Sequence, residues 1–308
     1  MSRIALTGTT GFIGRSLVRG LLARGHEVRA LVRQNRPDGL VEDDRLTLVT
    51  GDLHSPPALQ QLVADSDAVI HLAGAIRGRS REDFQRINTD GTRALAQAVA
   101  HTAADAHFVH VSSLAASKPE LSWYAGSKRE GEDLLPGIVR HWSVLRPPAV
   151  YGPEDPALAP VWRALARGWL PVIGSPHNRF SLVYVDDVVE ALCRLAAMPR
   201  SSQRIATIHD GRSNGYDWRA LAELAAAERG GKVRTITVPP TLLRAIAAVN
   251  LRLSRFYHQP PVLVPGKARE LAHHDWVCNN DALGEILGWT PGIEVPQVLQ
   301  TLPGWGPH

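Results

Sequence analysis

The chain contains 308 residues, of which 44% are hydrophobic, and this length allows one large domain, alone or with a smaller lobe. Its formal net charge is +4, and the excess of arginine is spread along the chain rather than gathered in a basic block. This pattern excludes nucleic acid as an expected partner and suits an anionic cofactor. The two cysteines, Cys193 and Cys278, have no metal-ligand spacing, so we expect reduced thiols and no metal site.

The amino-terminal segment predicts a strand almost at once, at Ile4–Thr7, and shows no signal-peptide pattern. No apolar run approaches the roughly 18 residues that cross a bilayer. We therefore expect a cytoplasmic protein.

Short apolar runs alternate with helical patterns through the first half of the sequence. The predicted strands are Ile4–Thr7, Val28–Val32, Leu46–Val49, Ala68–His71, Phe108–Val111 and a sixth containing Val144–Leu145. The predicted helices are Phe12–Ala23, Asp83–Ala103 and Tyr124–Leu135. This alternation is typical of βαβ units, so the sequence predicts an α/β fold with a doubly wound parallel sheet.

The sequence pattern changes after Pro147-Pro148, where prolines become frequent and the predicted elements become shorter. We predict a dinucleotide-binding domain over residues 1–150 and a smaller, mixed substrate-binding lobe over residues 151–308. Segments around 180–210 are expected to return to the main sheet. Arg204–Ile208 is such a strand, and a helix over Tyr216–Ala227 follows it.

The segment Gly8-Thr9-Thr10-Gly11-Phe12-Ile13-Gly14 lies between the first predicted strand and the first predicted helix. Its glycines allow a tight turn, a close approach of the backbone to a pyrophosphate, and close packing of helix on strand. The free N–H groups and the positive dipole end of the helix favour an anion at this point. A glycine-rich turn without a ligand is the alternative. The surrounding strand and helix favour a Rossmann-type cradle for a dinucleotide.

The end of the second predicted strand, Leu31-Val32-Arg33-Gln34-Asn35-Arg36, bears on the choice between NAD and NADP. Folds selective for NAD place an acid about 20 residues beyond the glycines, where it binds the ribose 2′-hydroxyl. No acid occurs here before Asp38. Arg33 stands where a guanidinium could clamp a 2′-phosphate, and a solvated loop arginine is the alternative. We expect NADP as the preferred cofactor and keep NAD open.

Tyr124 and Lys128 are four residues apart near the start of a predicted helix, so their side chains share one helix face. A nearby ammonium favours the phenolate and brings the pKa of tyrosine toward the operating range of an acid–base catalyst. Ser112 and Ser113 follow the fifth predicted strand, at the sheet edge where sites of such folds lie. The structural alternatives are packing for Tyr124, a solvated charge for Lys128 and a turn cap for the serines.

Together with this YxxxK pair, several segments resemble the short-chain dehydrogenase/reductase superfamily, and specifically its extended branch. These segments are the GxxGxxG cradle, Gly51-Asp52-Leu53, His71-Leu72-Ala73-Gly74, Asn88-Thr89-Asp90-Gly91-Thr92, Leu145-Arg146-Pro147, Tyr151-Gly152-Pro153 and Val185-Asp186-Asp187-Val188. The branch includes NAD-dependent epimerases and dehydratases, 3β-hydroxysteroid dehydrogenases and dihydroflavonol reductases. The resemblance covers nearly the whole chain and points more strongly to a fold and a cofactor than to a substrate.

The resemblance implies that several residues contact the cofactor. Asp52, followed by Leu53, would contact the adenine. The turn Leu72-Ala73-Gly74 and Pro147 would lie beside the cofactor, and Lys128 would also hold the nicotinamide ribose.

For the reaction, the resemblance implies that Ser113, rather than Ser112, orients the substrate oxygen. Asn88 would take part in a proton relay, and an ordinary polar helix residue is an equal alternative there.

Substrate contacts are expected from the second lobe and from loops at the carboxyl edge of the sheet. The candidates are Ala75, Ile76, Leu114, Pro148, Ala149, Val150 and Arg179. Arg179 could bind an anionic substrate group or pair with an acid. The segment Thr241–Phe256 predicts an amphipathic helix with apolar residues and the basic residues Arg244, Arg252 and Arg255. Its apolar stripe is expected to face the core, and docking on a membrane is the alternative.

The leading functional hypothesis is an NAD(P)-dependent oxidoreductase that moves hydride between nicotinamide and the carbonyl or secondary alcohol of a small, lipophilic molecule. A nucleotide-sugar epimerase or dehydratase with tightly held NAD is the runner-up. The loop Leu114-Ala115-Ala116 offers no acid beside the serines, which argues against a dehydratase. A dinucleotide sensor or structural subunit is a third class, and the presence of both Tyr124 and Lys128 favours an enzyme. A homodimer is left open.

Overall fold

The computed structural model describes residues 1–34, 38–198, 203–256 and 260–306. Its strands, in chain order, are β1 (Arg3–Thr7), β2 (Glu27–Val32), β3 (Leu46–Thr50), β4 (Ala68–His71), β5 (His107–Val111), β6 (Trp142–Arg146), β7 (Ala149–Tyr151), β8 (Trp169–Ile173), β9 (Arg179–Phe180), β10 (Leu182–Tyr184), β11 (Arg204–Thr207), β12 (Tyr216–Asp217), β13 (Arg234–Val238) and β14 (Asp275–Trp276).

The α-helices complete the element list. They are α1 (Phe12–Ala23), α2 (Pro56–Val63), α3 (Arg81–Phe84), α4 (Gly91–Thr102), α5 (Trp123–Asp133), α6 (Ala159–Ala166), α7 (Val185–Ala196), α8 (Trp218–Glu228), α9 (Pro240–Leu253), α10 (Pro265–Ala272), α11 (Asp281–Leu287) and α12 (Val295–Val298). None of the described helices is both long enough and apolar enough to cross a membrane.

Seven strands form the main sheet in the order β11-β6-β5-β4-β1-β2-β3, and every neighbouring pair is parallel. This is the strand order of a doubly wound dinucleotide-binding fold with one further strand at the edge. The fold class predicted from the sequence is therefore confirmed. The predicted return of the chain to the sheet near residue 204 is also confirmed, because β11 pairs with β6.

Hydrophobic layers cover both faces of the sheet, because alternate residues of a strand point to opposite sides. On β1, Ile4 packs in the layer that contains α1 and α7, and Ala5 packs in the layer that contains α2 and α4. Both residues are fully buried. Strands buried on both faces carry continuous apolar runs, and this explains why the sequence pattern located them well.

Three helices differ from the sequence expectation. The helix predicted over Asp83–Ala103 begins at Arg81 and is interrupted by a π-helical turn over Gln85–Asp90. The predicted helix start at Tyr216 is wrong, because Tyr216 lies in β12. The Asp217 side chain accepts the Ala220 N–H at 2.6 Å and caps α8. Helix α2 was missed, since it opens with two prolines that indicate a loop.

Among the described residues, the second lobe contains three small sheets, in which β10 pairs with β7, β13 pairs with β8, and β9 lies between β12 and β14. Its core is aromatic, with Tyr151, Trp162 and Tyr216 among the largest fully buried side chains. Helix α9 lies outside this core and packs on α10 through Leu243, Ala247 and Ala268. The boundary at residue 150 remains a prediction.

Candidate active site

The glycine cradle lies between β1 and α1, and its two outer glycines are required for different reasons. Gly8 has φ of +75°, and a Cβ at this position would lie 2.7 Å from the backbone of Leu72 and Ala73. A Cβ on Gly14 would lie 2.1 Å from the Gly8 carbonyl oxygen. The first glycine thus brings the turn against the end of β4, and the last seats α1 directly on the turn.

The first turn of α1 is open to an anionic ligand. Gly11 is the N-cap and has no side chain to accept an N–H, and no acidic residue lies in the first turn of the helix. Thr10 and Gly11 are exposed, and Phe12 and Ile13 are half-buried. An exposed helix start without an acidic residue suits an anion, so the binding of a dinucleotide diphosphate here stays a prediction.

The adenine end of the predicted cofactor site corresponds to the ends of β2 and β3. Arg33, Thr50, Gly51, Asp52 and Ser55 line a shallow pocket there. The Asp52 side chain accepts the N–H of His54 at 2.8 Å, and this contact holds the turn. Leu53 is buried against Gly91 of α4. The pocket brings Arg33 and Asp52 together, whereas residues 35–37 of the same loop lie outside the described residues.

Helix α5 carries the predicted catalytic pair, and Ser122 caps its start by accepting the Ala125 N–H at 2.9 Å. Lys128 is buried, and its Nζ donates to the Val111 carbonyl oxygen at 2.8 Å, at the carboxyl end of β5. Tyr124 lies one helical turn earlier and is half-buried. Its phenol lies close to the side chain of Ser113, and their interaction lowers the pKa of the phenol.

The protonation states of this pair follow from burial. Burial raises the pKa of Tyr124 to about 12, against the effect of the Ser113 side chain, and the Glu270 carboxylate raises it further. Burial lowers the pKa of Lys128 to about 8, against the effect of Glu132. The expectation that the Tyr124 pKa is brought toward neutrality is therefore wrong for this arrangement, because burial outweighs the other effects. At neutral pH the phenol is protonated and the amine is charged.

The two serines after β5 have different surroundings. Ser113 contacts Tyr124, and its Oγ also accepts the Ala115 N–H at 3.2 Å. The Ser112 hydroxyl is buried and has no hydrogen-bond partner among the described residues. The structure thus brings Ser113, and not Ser112, to the phenol.

Asn88 lies in the π-helical turn and links two parts of the site. Its Oδ1 accepts the Ala75 N–H at 2.7 Å, and its Nδ2 donates to the Ala75 carbonyl at 3.0 Å and to Ser127 Oγ at 2.9 Å. These contacts fix the loop after β4 to helix α5. The amide is fully occupied by these partners, so we assign Asn88 a positioning role in place of the predicted relay.

The turn after β4 is held by a buried network of neutral groups. His71 contacts Thr7 Oγ1 at 2.7 Å and Thr92 Oγ1 at 3.0 Å through its two ring nitrogens. Burial, followed by the nearby Lys128 ammonium, lowers the pKa of His71 to about 3, so the ring is uncharged. The Ala73 N–H donates to Thr7 Oγ1 at 3.2 Å. The network aligns Leu72, Ala73 and Gly74 beside the cradle.

Gly74 also marks where this turn meets the catalytic groups. A Cβ on Gly74 would lie 3.1 Å from Asn88 Oδ1 and 3.8 Å from Lys128 Nζ. The turn and α5 therefore converge, as expected for the nicotinamide end of the site. Pro147 is buried on the opposite side, and its carbonyl accepts the Leu114 N–H at 2.8 Å.

The predicted substrate residues fall into two groups. Ala75, Ile76 and Leu114 lie on the loops after β4 and β5, and Val150 lies in β7 beside the sheet. Ile76 is 61% exposed, and Leu114 is buried. Arg179 behaves differently, because its side chain forms an ion pair with Asp275 at 2.6 Å across β9 and β14. Of the two roles considered for Arg179, the structure shows the ion pair.

Sequence reasoning missed two contacts of buried carboxylates that position α5. Glu132 is buried on the helix and forms a bidentate pair with Arg146 at the end of β6, with one N···O distance of 2.9 Å. This pair fixes α5 to the sheet and places a carboxylate near Lys128. Arg146 belongs to the segment Leu145-Arg146-Pro147, which resembles the family, but the sequence does not indicate that Glu132 is its partner.

The second contact joins α5 to the second lobe. Glu270 of α10 is buried, accepts a hydrogen bond from Ser122 Oγ, and pairs with Lys267 at 2.8 Å. Gly266 approaches so closely that a Cβ there would lie 2.7 Å from Ser122 Cβ. The Arg269 side chain donates to the Leu121 carbonyl at 2.7 Å. Helix α10 is thus seated on the start of the catalytic helix, 148 residues away in sequence.

Comparison with known proteins adds to this geometry. Residues 4–208 match the model of the NAD dependent epimerase/dehydratase family. The chain is 39% identical over 283 residues to ceramide reductase of Caulobacter vibrioides, covering 92% of this chain and 88% of that protein. It is 30% identical to 2-alkyl-3-oxoalkanoate reductase of Stenotrophomonas maltophilia, over 97% and 98% of the two chains. The solved structure of MoeE5 in complex with UDP-glucose and NAD has a TM-score of 0.76 at 21% identity, covering 99% of this chain and 98% of that one.

Proposed function

The chain belongs to the NAD-dependent epimerase/dehydratase family and is an NAD(P)-dependent oxidoreductase of the short-chain dehydrogenase/reductase type, and on this basis we propose that it reduces the ketone of a long-chain lipid to a secondary alcohol. The observation that carries the proposal is the 39% identity to ceramide reductase over 92% of the chain. The second reductase relative is named for a 3-oxo acid with an alkyl substituent. Both names describe reductases of molecules with apolar chains.

The local chemistry of the site supports a ketone rather than a nucleotide sugar. Ile76, Leu114 and Val150 are apolar, and they lie on the elements expected to face the substrate. Arg179, the cation considered for an anionic substrate group, is already paired with Asp275. An apolar wall suits a lipid chain better than a diphosphate.

The protonated phenol supplies the proton that a reduction requires. The nicotinamide, when bound, supplies hydride to the carbonyl carbon. The oxygen then gains a proton from Tyr124, whose pKa of about 12 keeps it protonated at neutral pH. Ser113, already in contact with the phenol, orients the substrate oxygen beside it. The Lys128 ammonium lies one turn away and favours the phenolate left after transfer.

We assign NADP as the preferred cofactor. Arg33 lies in the pocket with Asp52 at the end of the cofactor site, where a 2′-phosphate would be placed. A planar guanidinium binds a phosphate with paired hydrogen bonds, so it favours NADP over NAD. A cytoplasmic location belongs to the same proposal, because both cysteines are free and the pyridine nucleotides form a soluble pool.

The test follows the hydride itself. Purified protein is incubated with NADPH carrying deuterium at the transferable position and, separately, with a ceramide-type ketone, a 2-alkyl-3-oxo acid and UDP-glucose. We expect deuterium on the carbinol carbon of a lipid product. Conversion of UDP-glucose without net oxidation of cofactor, together with inert lipid ketones, would establish the epimerase instead. The Tyr124→Phe variant is the control for background transfer.

A further inference from the structure

Helix α9 exposes a line of large apolar side chains, which we call the α9 stripe: Leu242, Ile246, Val249, Leu253 and, in the 3₁₀ turn that follows, Phe256. Their exposed fractions range from 42% to 70%. The spacing of three and four residues places them on one side of the helix. The core contacts of α9 come from Leu243 and Ala247, which are buried. The expectation that the apolar stripe faces the core is therefore wrong.

The α9 stripe is unusual for a helix at the surface of a globular protein, where the apolar side normally turns inward. Single exposed apolar residues are ordinary, but contiguous ones mark surfaces that bind a partner. Five large side chains along four turns form a contiguous line. The question is which partner fits it.

The charge around the stripe identifies the partner. Residues 229–269 contain eight Lys and Arg residues and no Asp or Glu, whereas the rest of the chain carries 26 basic and 30 acidic residues. The surplus of positive charge is thus concentrated in one segment, and the even distribution inferred from the sequence is wrong. Arg244 and Arg252 are exposed on α9 itself. A helix that carries exposed arginines and an exposed apolar stripe, within a segment of net positive charge, matches an anionic lipid surface.

The same charge argues against a second copy of the chain as the occupant. Two copies joined through this segment would bring two strongly cationic surfaces together, and like charges across an interface cost free energy. An anionic bilayer neutralises the basic residues and receives the apolar ones.

The carboxyl end of α9 also adjoins the predicted substrate entrance. The Arg79 side chain donates to the Ser254 carbonyl oxygen at 3.1 Å, and this contact ties the end of α9 to the loop that follows β4. That loop carries Ile76, which is 61% exposed, and Arg77, which is also exposed. The carboxyl end of the stripe is therefore tied to the loop that carries Ile76.

We propose that the α9 stripe docks the protein on the surface of an anionic lipid bilayer. The apolar side chains enter the boundary between headgroups and acyl chains, and the exposed Arg244 and Arg252 contact the headgroup charge. The orientation presents the loop of Ile76 to the bilayer. The proposal concerns the surface alone and holds whichever substrate the site accepts.

Vesicle flotation tests the apolar contribution. The full chain is mixed with vesicles of phosphatidylcholine alone or with about one third phosphatidylglycerol. We expect flotation with the anionic vesicles, weakening as salt rises. The double variant Ile246→Gln, Val249→Gln should bind at least about tenfold more weakly. The matched control Ile205→Gln changes an isoleucine that is 41% exposed on edge strand β11, and its binding should equal that of the wild type.

Charge variants test the electrostatic contribution. Arg244→Gln and Arg252→Gln should each lower binding to anionic vesicles by about fivefold, while Arg219→Gln on α8 should leave it unchanged. Quenching of tryptophan emission by NADPH verifies that each variant is folded. Equal flotation of wild type and double variant, or no flotation of the wild type, would overturn the proposal. A dimer that dissociates on Ile246→Gln, with no vesicle binding, would establish self-association instead.

Discussion

Helices α5 and α9 both depart from the ordinary pattern of a surface helix, but in opposite directions. Helix α5 turns polar groups inward, with Ser127, Lys128 and Glu132 buried. Helix α9 turns apolar groups outward along the α9 stripe. Each arrangement costs stability, because buried charges lose hydration and exposed apolar groups order water. Such local departures are expected where function requires them.

The difference between the two helices indicates two separate tasks: α5 carries the groups proposed for catalysis, and α9 carries the surface proposed to bind a lipid bilayer. The polar groups of α5 are each matched within the protein: Lys128 by the Val111 carbonyl, Glu132 by Arg146, and Ser127 by Asn88. The apolar side chains of Leu242, Ile246, Val249 and Leu253 on α9 are instead exposed. We therefore expect substitutions in α5 to change rate constants and substitutions in α9 to change access to a lipid surface.

The largest effect is expected from Tyr124→Phe. Loss of the proton donor should lower kcat for ketone reduction by about 10²–10⁴-fold, because acid–base catalysis contributes that much. Cofactor affinity and vesicle binding should stay at wild-type values. Steady-state kinetics with NADPH measure the effect on kcat, and the flotation assay measures the effect on vesicle binding.

A second tyrosine provides the matched control. The Tyr151 hydroxyl donates to the Ile293 carbonyl at 3.1 Å in the second lobe, away from α5. Tyr151→Phe should cost about 1 kcal/mol of unfolding free energy and leave kcat unchanged. Full activity of Tyr124→Phe would remove the phenol from the mechanism.

The preference for NADPH over NADH should depend on Arg33, which lies outside both helices. Arg33→Asp should weaken NADPH binding by about ten- to a hundredfold and affect NADH far less, because a charge-assisted hydrogen bond to the 2′-phosphate is lost. Titration of tryptophan quenching with each cofactor gives the ratio. An unchanged ratio of NADPH to NADH affinity would contradict the assignment of Arg33. Flotation with vesicles, which depends on α9, should be the same in the wild type and in Arg33→Asp.

The pH dependence sharpens the account of α5. Because burial lowers the pKa of Lys128 to about 8, the amine is charged below that pH and neutral above it. Reduction should therefore fall by about tenfold for each pH unit above 8. In Glu132→Gln, the group that raises the Lys128 pKa is gone, so the decline should begin at a lower pH. Profiles of kcat/KM for the two proteins test this, and coincident declines would contradict it.

The smallest effect is expected at the contact between the lobes. The Glu270 carboxylate raises the pKa of Tyr124, so Glu270→Gln should lower that pKa and shift the rising limb of alcohol oxidation to lower pH, with a change in rate of only a few fold. Ser122→Ala removes the cap but keeps the carboxylate. It should cost about 1 kcal/mol of stability without moving the limb. If the rising limb of the pH profile shifts in both variants, Glu270 affects the reaction only by holding α5 in position.

The sequence predicted the elements whose causes are local. Gly8 and Gly14 are dictated by a backbone turn, and strands such as Ala68–His71 are buried on both faces, so both leave a readable pattern. The pairing of Tyr124 with Lys128 is set by one helical turn.

The remainder depended on tertiary contacts. Ser122 meets Glu270 across 148 residues, and spacing carries no signal of that contact. The stripe of α9 was visible as an amphipathic pattern, but its direction depended on which neighbours α9 finds. Leu243 and Ala247 proved sufficient to seat the helix on α10, which left the larger side chains outside.

The most direct test compares one chemistry in two settings. A short, water-soluble ketone and a long-chain ketone embedded in phosphatidylglycerol-containing vesicles are reduced by the wild type and by Ile246→Gln, Val249→Gln. We predict equal kcat/KM for the soluble ketone and a loss of at least about tenfold for the embedded one. If the wild type and the double variant reduce the embedded ketone with equal kcat/KM, the claim that α9 serves access to a lipid surface while α5 serves catalysis is contradicted.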